Sequence, residues 1–392
     1  MKKKSFQLDD ALKHPDHHRP RTRRDFIAQG FAAGGASVLG APWLANPVMA
    51  ALSEDVVGGN NGNCQLEYGG ANKIPFICFD LAGGANIAGS NVLVGGPGGQ
   101  KDFLSTAGYV KQGVPGDMAP NITSDLVDGG VSHDFINDSL GLSFHADSQF
   151  LAGILERAGI ETIANVDGAV IAARSENDTG NNPHNPMYGV YKAGAAGALL
   201  PLCGSVSSVS GGNSMSPATM IDPAARPTKV DRATDVTGLV NTGLDVDGLT
   251  NDDKVAILEA MYRISNAKLS QEQTKTARDE VIKQNVRCSY AKSADIVSQF
   301  GGVDLSPLTD SDIVGETGIF SLAEMSDREF QKTASVMKLV LDGPAQSDGG
   351  TGAYAGAGTI TMGGFDYHTG DRSTGEARDL RAGRCIGAVL EL

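Results

Sequence analysis

The sequence predicts an α/β protein: a mostly parallel sheet with helices on both faces and a helical hairpin inserted into it. Two short, continuous apolar runs, at 74–79 and 358–362, each lead into a glycine-flanked polar segment. That is the pattern of strands covered on both faces, as strands of parallel sheets are. Three capping boxes between the runs mark helix starts, and strands separated by helices and long crossovers pair in parallel. A chain of 392 residues, 41% of them hydrophobic, has the apolar material for the core such a sheet needs.

Charge narrows the function classes before any motif is read. With 46 acidic against 32 basic side chains the net charge is −14, the wrong sign for a protein held to nucleic acid or anionic lipid by counterion release. Past the N-terminus no run reaches the ~18 apolar residues of a membrane span. Fifty-one glycines and only 6% aromatic residues point to short elements joined by tight turns.

Residues 1–50 read as an export signal and not as part of the fold. Thr22-Arg23-Arg24-Asp25-Phe26-Ile27 has the twin-arginine arrangement, and a weakly apolar, Ala/Gly-rich run follows from Ala28 to Leu44. Val48-Met49-Ala50 offers a cleavage site after Ala50. Gly34, Gly35, Gly40, Pro42 and Pro47 oppose the alternative of a basic amphipathic helix. Removing this segment takes away eight basic and four acidic side chains and moves the net charge from −14 to −18. The expected partner is the twin-arginine translocation machinery, and the expected destination is the periplasm or the extracellular space. No stable membrane span is expected in the mature chain. Five cysteines, Cys64, Cys78, Cys203, Cys288 and Cys385, form no C-x-x-C pair, so they support neither a structural zinc site nor a thioredoxin-like motif. Disulfides are compatible with export, and burial of Cys78 and Cys385 as small hydrophobes is equally so.

Residues 51–392 are expected to make one α/β domain. After a Gly/Asn-rich lead-in, the run at 74–79 delivers Asp80 to a loop at the strand's C-terminal end. A helix is expected at 148–158, a strand at 160–166 and a polar loop at 173–187. The Gly/Ala-rich stretch 189–200 suggests tight packing, and the Ser/Gly-rich stretch 206–217 suggests exposure. The capping boxes Thr250 to Asp253, Ser270 to Gln273 and Ser326 to Glu329 start three helices. The first two, about 251–266 and 271–286, form the hairpin, an insertion at about 250–290. The third runs to Leu341 and stops at Gly343-Pro344.

In parallel sheets ligands gather beyond the carboxyl ends of the strands. Asp80 and the pair Asp366/His368 each follow an apolar run and are flanked by glycines, so two parallel strands would bring them to one edge. Two carboxylates and an imidazole suit a divalent cation such as zinc or manganese, and the competing reading is that Asp80 caps a turn. The loop after 166 holds the hydroxyls of Ser175 and Thr179, the cation Arg174, and His184. His133 and His145 stand without neighbouring ligands and read as structural. Asp245-Val246-Asp247-Gly248 departs from a calcium loop at its sixth and twelfth positions, and Gly95-Gly96-Pro97-Gly98-Gly99 lacks the residues of a phosphate loop.

Several of these pieces together resemble a known group, the twin-arginine-exported bacterial proteins classed as domain of unknown function 1501, within the alkaline phosphatase and sulfatase superfamily. They are Arg23-Arg24-Asp25-Phe26, Phe79-Asp80-Leu81-Ala82-Gly83-Gly84-Ala85-Asn86, Leu140-Gly141-Leu142-Ser143-Phe144-His145, Arg174-Ser175, and Gly363-Gly364-Phe365-Asp366-Tyr367-His368. The resemblance implies an alkaline phosphatase-like fold and a metal-dependent hydrolase of phosphate or sulfate esters. Asp80, Asp366 and His368 would hold the metal, Ser175 or Thr179 would be the nucleophile, and Arg174 would neutralise the ester oxygens. Glu176-Asn177 departs from the His-Phe that commonly follows Arg-Ser, which is why Thr179 competes with Ser175. The superfamily's later Asp-His pair and final His are absent from the 24 residues after His368. Either the protein continues beyond Leu392, or it has lost half of the metal site and is a noncatalytic binding or assembly protein. A chain that stops short would leave an open strand edge and a closing helix at 376–392 whose face of Leu380, Ile386, Val389 and Leu390 lacks a partner.

Overall fold

The computed structural model describes residues 52–53, 56, 75–85, 87–112, 126–127, 130–131, 136–170, 185–194, 197–241, 243–244, 248–273, 278–344, 352–365 and 372–392. The chain divides into two compact units, one of Glu67–Leu239 with Asp304–Leu392, the other of Met1–Leu66 with Val240–Val303. In the first unit β1 (Ile77–Leu81), β2 (Leu200–Gly204), β3 (Thr228–Lys229) and β4 (Ala355–Met362) form one sheet in the order β1-β4-β2-β3. Every pairing in it is parallel. Two short antiparallel ladders, Leu126–Val127 with Gly130–Val131 and Ile136–Asn137 with Phe144–His145, lie outside it.

The last strand explains how the layers assemble. All eight residues of β4, Ala355-Gly356-Ala357-Gly358-Thr359-Ile360-Thr361-Met362, are buried. Its first half is small, so helices approach closely on either side. Alternation sends Ala357 to one face, against Met187 and Tyr188 of a helix at Met187–Lys192. It turns Gly358 to the other, where an added Cβ would stand 2.8 Å from Val336 and 3.0 Å from Val340. Those valines belong to a helix at Arg328–Val340, capped by Asp327, whose carboxylate accepts from the Glu329 amide at 2.8 Å. The expected start at Ser326 is therefore one residue early.

The helices of this unit include α1 (Gln149–Leu155), α2 (Ile160–Ala164), α3 (Met187–Lys192), α6 (Arg328–Val340) and α7 (Arg372–Glu391). α1 starts where the sequence places it, with the Ser148 hydroxyl accepting from the Leu151 amide at 3.1 Å. The strand expected at 160–166 is instead the helix α2. Ile160 is 87% exposed and no residue of this segment is buried, whereas an inner strand of a parallel sheet is covered on both faces. β-branched side chains alone misdirect the reading here.

The closing helix α7 has partners. It packs on α1 and α6, and its buried residues include Ala382, Gly383, Cys385, Gly387 and Ala388, while Leu390 stays exposed. Small residues, not the expected Leu380-Ile386-Val389-Leu390 face, make the contact. A Cβ on Gly153 of α1 would lie 2.2 Å from the Leu380 carbonyl oxygen, and one on Gly383 would lie 2.1 Å from that of Phe150. A buried polar set ties the same region. The Ser148 hydroxyl donates to Asn91 at 2.7 Å, the Asn91 amide donates to Asp379 of α7 at 2.9 Å, and His145 Nε2 lies 2.7 Å from the Ser90 carbonyl oxygen. His145, 3% exposed, is structural, as the sequence suggests.

In the second unit α4 (Asn251–Leu269) and α5 (Asp279–Phe300) form the helical hairpin. Val255 and Leu258 pack on Ala294 and Val297, and Thr250 with Asp253 makes the expected capping box. The second helix does not start at 271. Ser270 caps the end of α4, its hydroxyl donating to the Ala267 carbonyl at 3.0 Å, and α5 begins at Asp279 and continues to Phe300. Its buried positions run Lys283, Arg287, Ala291, Ala294, Val297, Phe300. Charged residues at the first two inward positions hide the apolar period from a sequence reading. Cys288 is disulfide-bonded.

Ion pairs fix the first unit at its periphery. Lys338 Nζ lies 2.8 Å from Asp310 and 2.5 Å from Asp342. Burial favours the neutral form of Asp310, yet the Lys338 ammonium outweighs it and holds the carboxyl below 3.8. A carboxyl with a depressed folded pKa stabilises the protein above its unfolded pKa, and that stability is lost as pH falls through the folded value. The unfolding free energy of Lys338→Met should therefore lie beneath that of the wild type at about pH 6, and the gap should close only as pH falls through the folded value, to about pH 2. Urea titrations at both pH values check this, and a pH-independent gap would contradict it.

Candidate functional site

The register of the sheet decides which strand ends meet. β1 and β4 are neighbours, with Asp80 opposite Thr361 and Leu81 opposite Met362. The loops after them therefore leave from one edge, as the sequence reading requires. Asp80 is the penultimate residue of β1 and only 8% exposed. Asp366, His368, Arg174, Ser175, Thr179 and His184 lie outside the described residues, as does the loop 245–247.

The structure gives Asp80 a definite task. Its Oδ2 accepts from the backbone amides of Asn213 and Ser214, both at 2.5 Å. The middle of the Ser/Gly-rich stretch expected to be exposed thus folds inward over the sheet edge, with Ser210, Gly211 and Gly212 buried, while Ser207, Val209, Asn213 and Met215 stay exposed. Glycine makes this approach attainable. Gly211 has φ +70°, and a Cβ on Gly204 at the end of β2 would stand 2.2 Å from its Cα. Composition signals exposure, but residues this small are also what a loop needs to lie against a sheet. Asn185, 1% exposed, fastens the same loop by donating to Thr359 Oγ1 at 2.7 Å and to the Ser210 carbonyl at 3.4 Å.

Around Asp80 two hydroxyls, Thr361 Oγ1 and Ser214 Oγ, are buried without a hydrogen-bond partner. A Cβ placed on Gly212 would come within 2.5 Å of Thr361 Oγ1 and 2.7 Å of Asp80 Oδ2, so both oxygens border the same small space. An ionised carboxylate offers about four lone-pair positions, two of which serve the loop amides. One carboxylate and two orphaned hydroxyls are oxygen donors of the kind hard cations take. Among the described residues, however, no three His, Cys, Asp or Glu side chains come together. The donors present here fit one side of a cation site.

A cavity of about 360 Å³ opens beside this cluster, at the carboxyl ends of β2, β3 and β4 and the first turn of α6. Thr361 borders both. Its charged lining is Lys229, Asp231, Arg328, Glu329 and Lys332. Arg328 pairs with Asp231. Lys332, 7% exposed, donates to the Thr361 carbonyl at 2.6 Å and pairs with Glu329 at 2.8 Å. Burial would push the Asp231 carboxyl up, but Arg328, with Lys229 and Lys332, holds it below 3.8. It is an anion at neutral pH.

Sequence reasoning misses this cavity because it misses β2 and β3. Leu200-Pro201-Leu202-Cys203-Gly204 is short, contains a proline and follows a Gly/Ala tract. The available signal is the one that reveals β1: an apolar run that ends in a polar residue and a Gly-rich turn, here Ser205.

Among the described residues the other cysteines are poor nucleophiles. Cys78, Cys203 and Cys385 are free, and burial pushes each up to about 12. Among the described residues no helix is long and apolar enough to cross a membrane. Comparison of the chain with protein-family models, curated proteins and solved structures finds no match.

Proposed function

We propose that this chain is an exported, alkaline phosphatase-like protein that binds an anionic phosphate or sulfate ester at the carboxyl edge of its sheet and hydrolyses it with a divalent metal, zinc or manganese. The observation that carries the reading is the parallel, in-register pairing of β1 with β4. It sets Asp80 at the edge from which the segment bearing Asp366 and His368 departs. Asp80, Asp366 and His368 would hold the metal, which when bound lowers the pKa of a hydroxyl and withdraws charge from an ester oxygen. Ser175 or Thr179 supplies that hydroxyl as nucleophile, and Arg174 binds the ester's outer oxygens. The twin-arginine segment and the disulfide at Cys288 both support export to an oxidising compartment.

A second reading is a noncatalytic exported binding or assembly protein of the same fold. It is favoured by Asp80 Oδ2, which already accepts two loop amides. The experiment that separates the two is turnover of p-nitrophenyl phosphate and p-nitrophenyl sulfate by purified full-length protein, with its metal content measured. Bound zinc or manganese with turnover that a chelator removes supports the hydrolase. A metal-free protein with no turnover after zinc or manganese is added rejects it and leaves the binding reading.

A further inference from the structure

The cavity at the ends of β2, β3 and β4 is surrounded by more charge than its ion pairs account for. Three cations, Lys229, Arg328 and Lys332, face two carboxylates, Asp231 and Glu329. Both carboxylates are engaged, Asp231 by Arg328 and Lys229 and Glu329 by Lys332, so the lining keeps one positive charge in excess. Donor capacity remains as well. The guanidinium has five N–H groups and its bonds to Asp231 use two nitrogens, Nε and Nη2. Lys229 Nζ lies 3.6 Å from Asp231, beyond hydrogen-bond range, and is half exposed. The Ser205 hydroxyl accepts from the Thr361 amide at 2.8 Å and keeps its own proton to donate.

One further feature points the same way. The cavity sits at the N-terminus of the 13-residue helix α6, where the aligned peptide dipoles favour an anion. We propose that this cavity is a binding site for a tetrahedral oxyanion, phosphate or sulfate, received by Lys229, Arg328, Lys332 and Ser205. A planar carboxylate would engage fewer of these donors, which come from two strand ends and one helix. The inference rests on reading the carboxyl edge as the ligand edge. It deepens that reading by assigning residues to the anionic group.

The test is calorimetric titration of the full-length protein with inorganic phosphate at low ionic strength, in the presence of a chelator. Metal then plays no part, so failure of the hydrolase reading leaves this result untouched. Saturable binding is expected, weakened about tenfold or more in Lys229→Gln and in Arg328→Gln. Both side chains are at least half exposed, so both variants should fold, which their circular dichroism checks. Lys101→Gln, which removes a surface pair with Asp138 elsewhere, should bind as the wild type does. Phenylphosphonate that displaces phosphate marks the head of an ester as the occupant, and phosphate that resists displacement marks the free ion. No saturable binding by the wild type, or equal affinity in both folded cavity variants, would overturn the proposal.

Discussion

Gly383→Ala is expected to destabilise the protein by about 3 kcal/mol, near the upper end of what an extra methyl costs in a packed interior. The sign is the informative part. In an exposed helix interior the same change is worth about 1 kcal/mol of added stability, because alanine is the better helix former. Here the new Cβ would stand 2.1 Å from the Phe150 carbonyl oxygen and 3.1 Å from Gly153 Cα. Those are backbone atoms of α1, which cannot turn aside as a side chain would, so the whole helix must shift. Its shift would drag the Ser148 cap and the Asn91 to Asp379 hydrogen bond with it. Urea unfolding followed by circular dichroism measures the loss. A variant as stable as the wild type would mean that α1 and α7 do not meet through their glycines.

The second large effect is expected at Asp80. Asp80→Ala strips the partly buried amides of Asn213 and Ser214 of their acceptor, and a donor left without one costs up to about 1–3 kcal/mol. With two such donors the loss should reach about 3 kcal/mol. Asp80→Asn keeps an acceptor oxygen but not the charge, so it should lose about half as much. The two variants together separate roles. Hydrogen exchange at residues 205–214 should speed up strongly in the alanine variant and modestly in the asparagine one. Unchanged exchange in both would remove the carboxylate as the anchor of this loop. If Asp80 also holds a metal, Asp80→Asn should lose metal far out of proportion to its small loss of stability.

What the sequence discloses follows from where each signal originates. β1 and the second half of β4 are legible because a strand covered on both faces must be apolar throughout, and the runs before Asp80 and Gly363 are. The helix at 149–155 and the start of α4 are legible because Ser148 and Thr250 cap through their own side chains. Signals that depend on distant partners mislead. Ile160-Glu161-Thr162-Ile163 has strand composition but lies in an exposed turn of helix. Val206–Pro217 has loop composition, yet Asp80, 133 residues from Asn213, draws its Ser210–Gly212 centre against the sheet. Lys332 and Asp231 carry no local mark of a site, because their significance arises only when β3, β4 and α6 converge.

Hydrogen exchange with and without ligand decides whether this protein meets its ligand at the carboxyl edge of the parallel sheet. The measurement compares full-length protein alone with protein saturated with phosphate, with and without zinc. Slower exchange is expected in 205–214 and in 359–365, the loop and strand end that surround Asp80 and Thr361, and at the start of α6. The helical hairpin at 251–300 should be unaffected. Protection confined to that hairpin, or to the opposite ends of the strands at 75–77 and 198–200, would contradict that expectation.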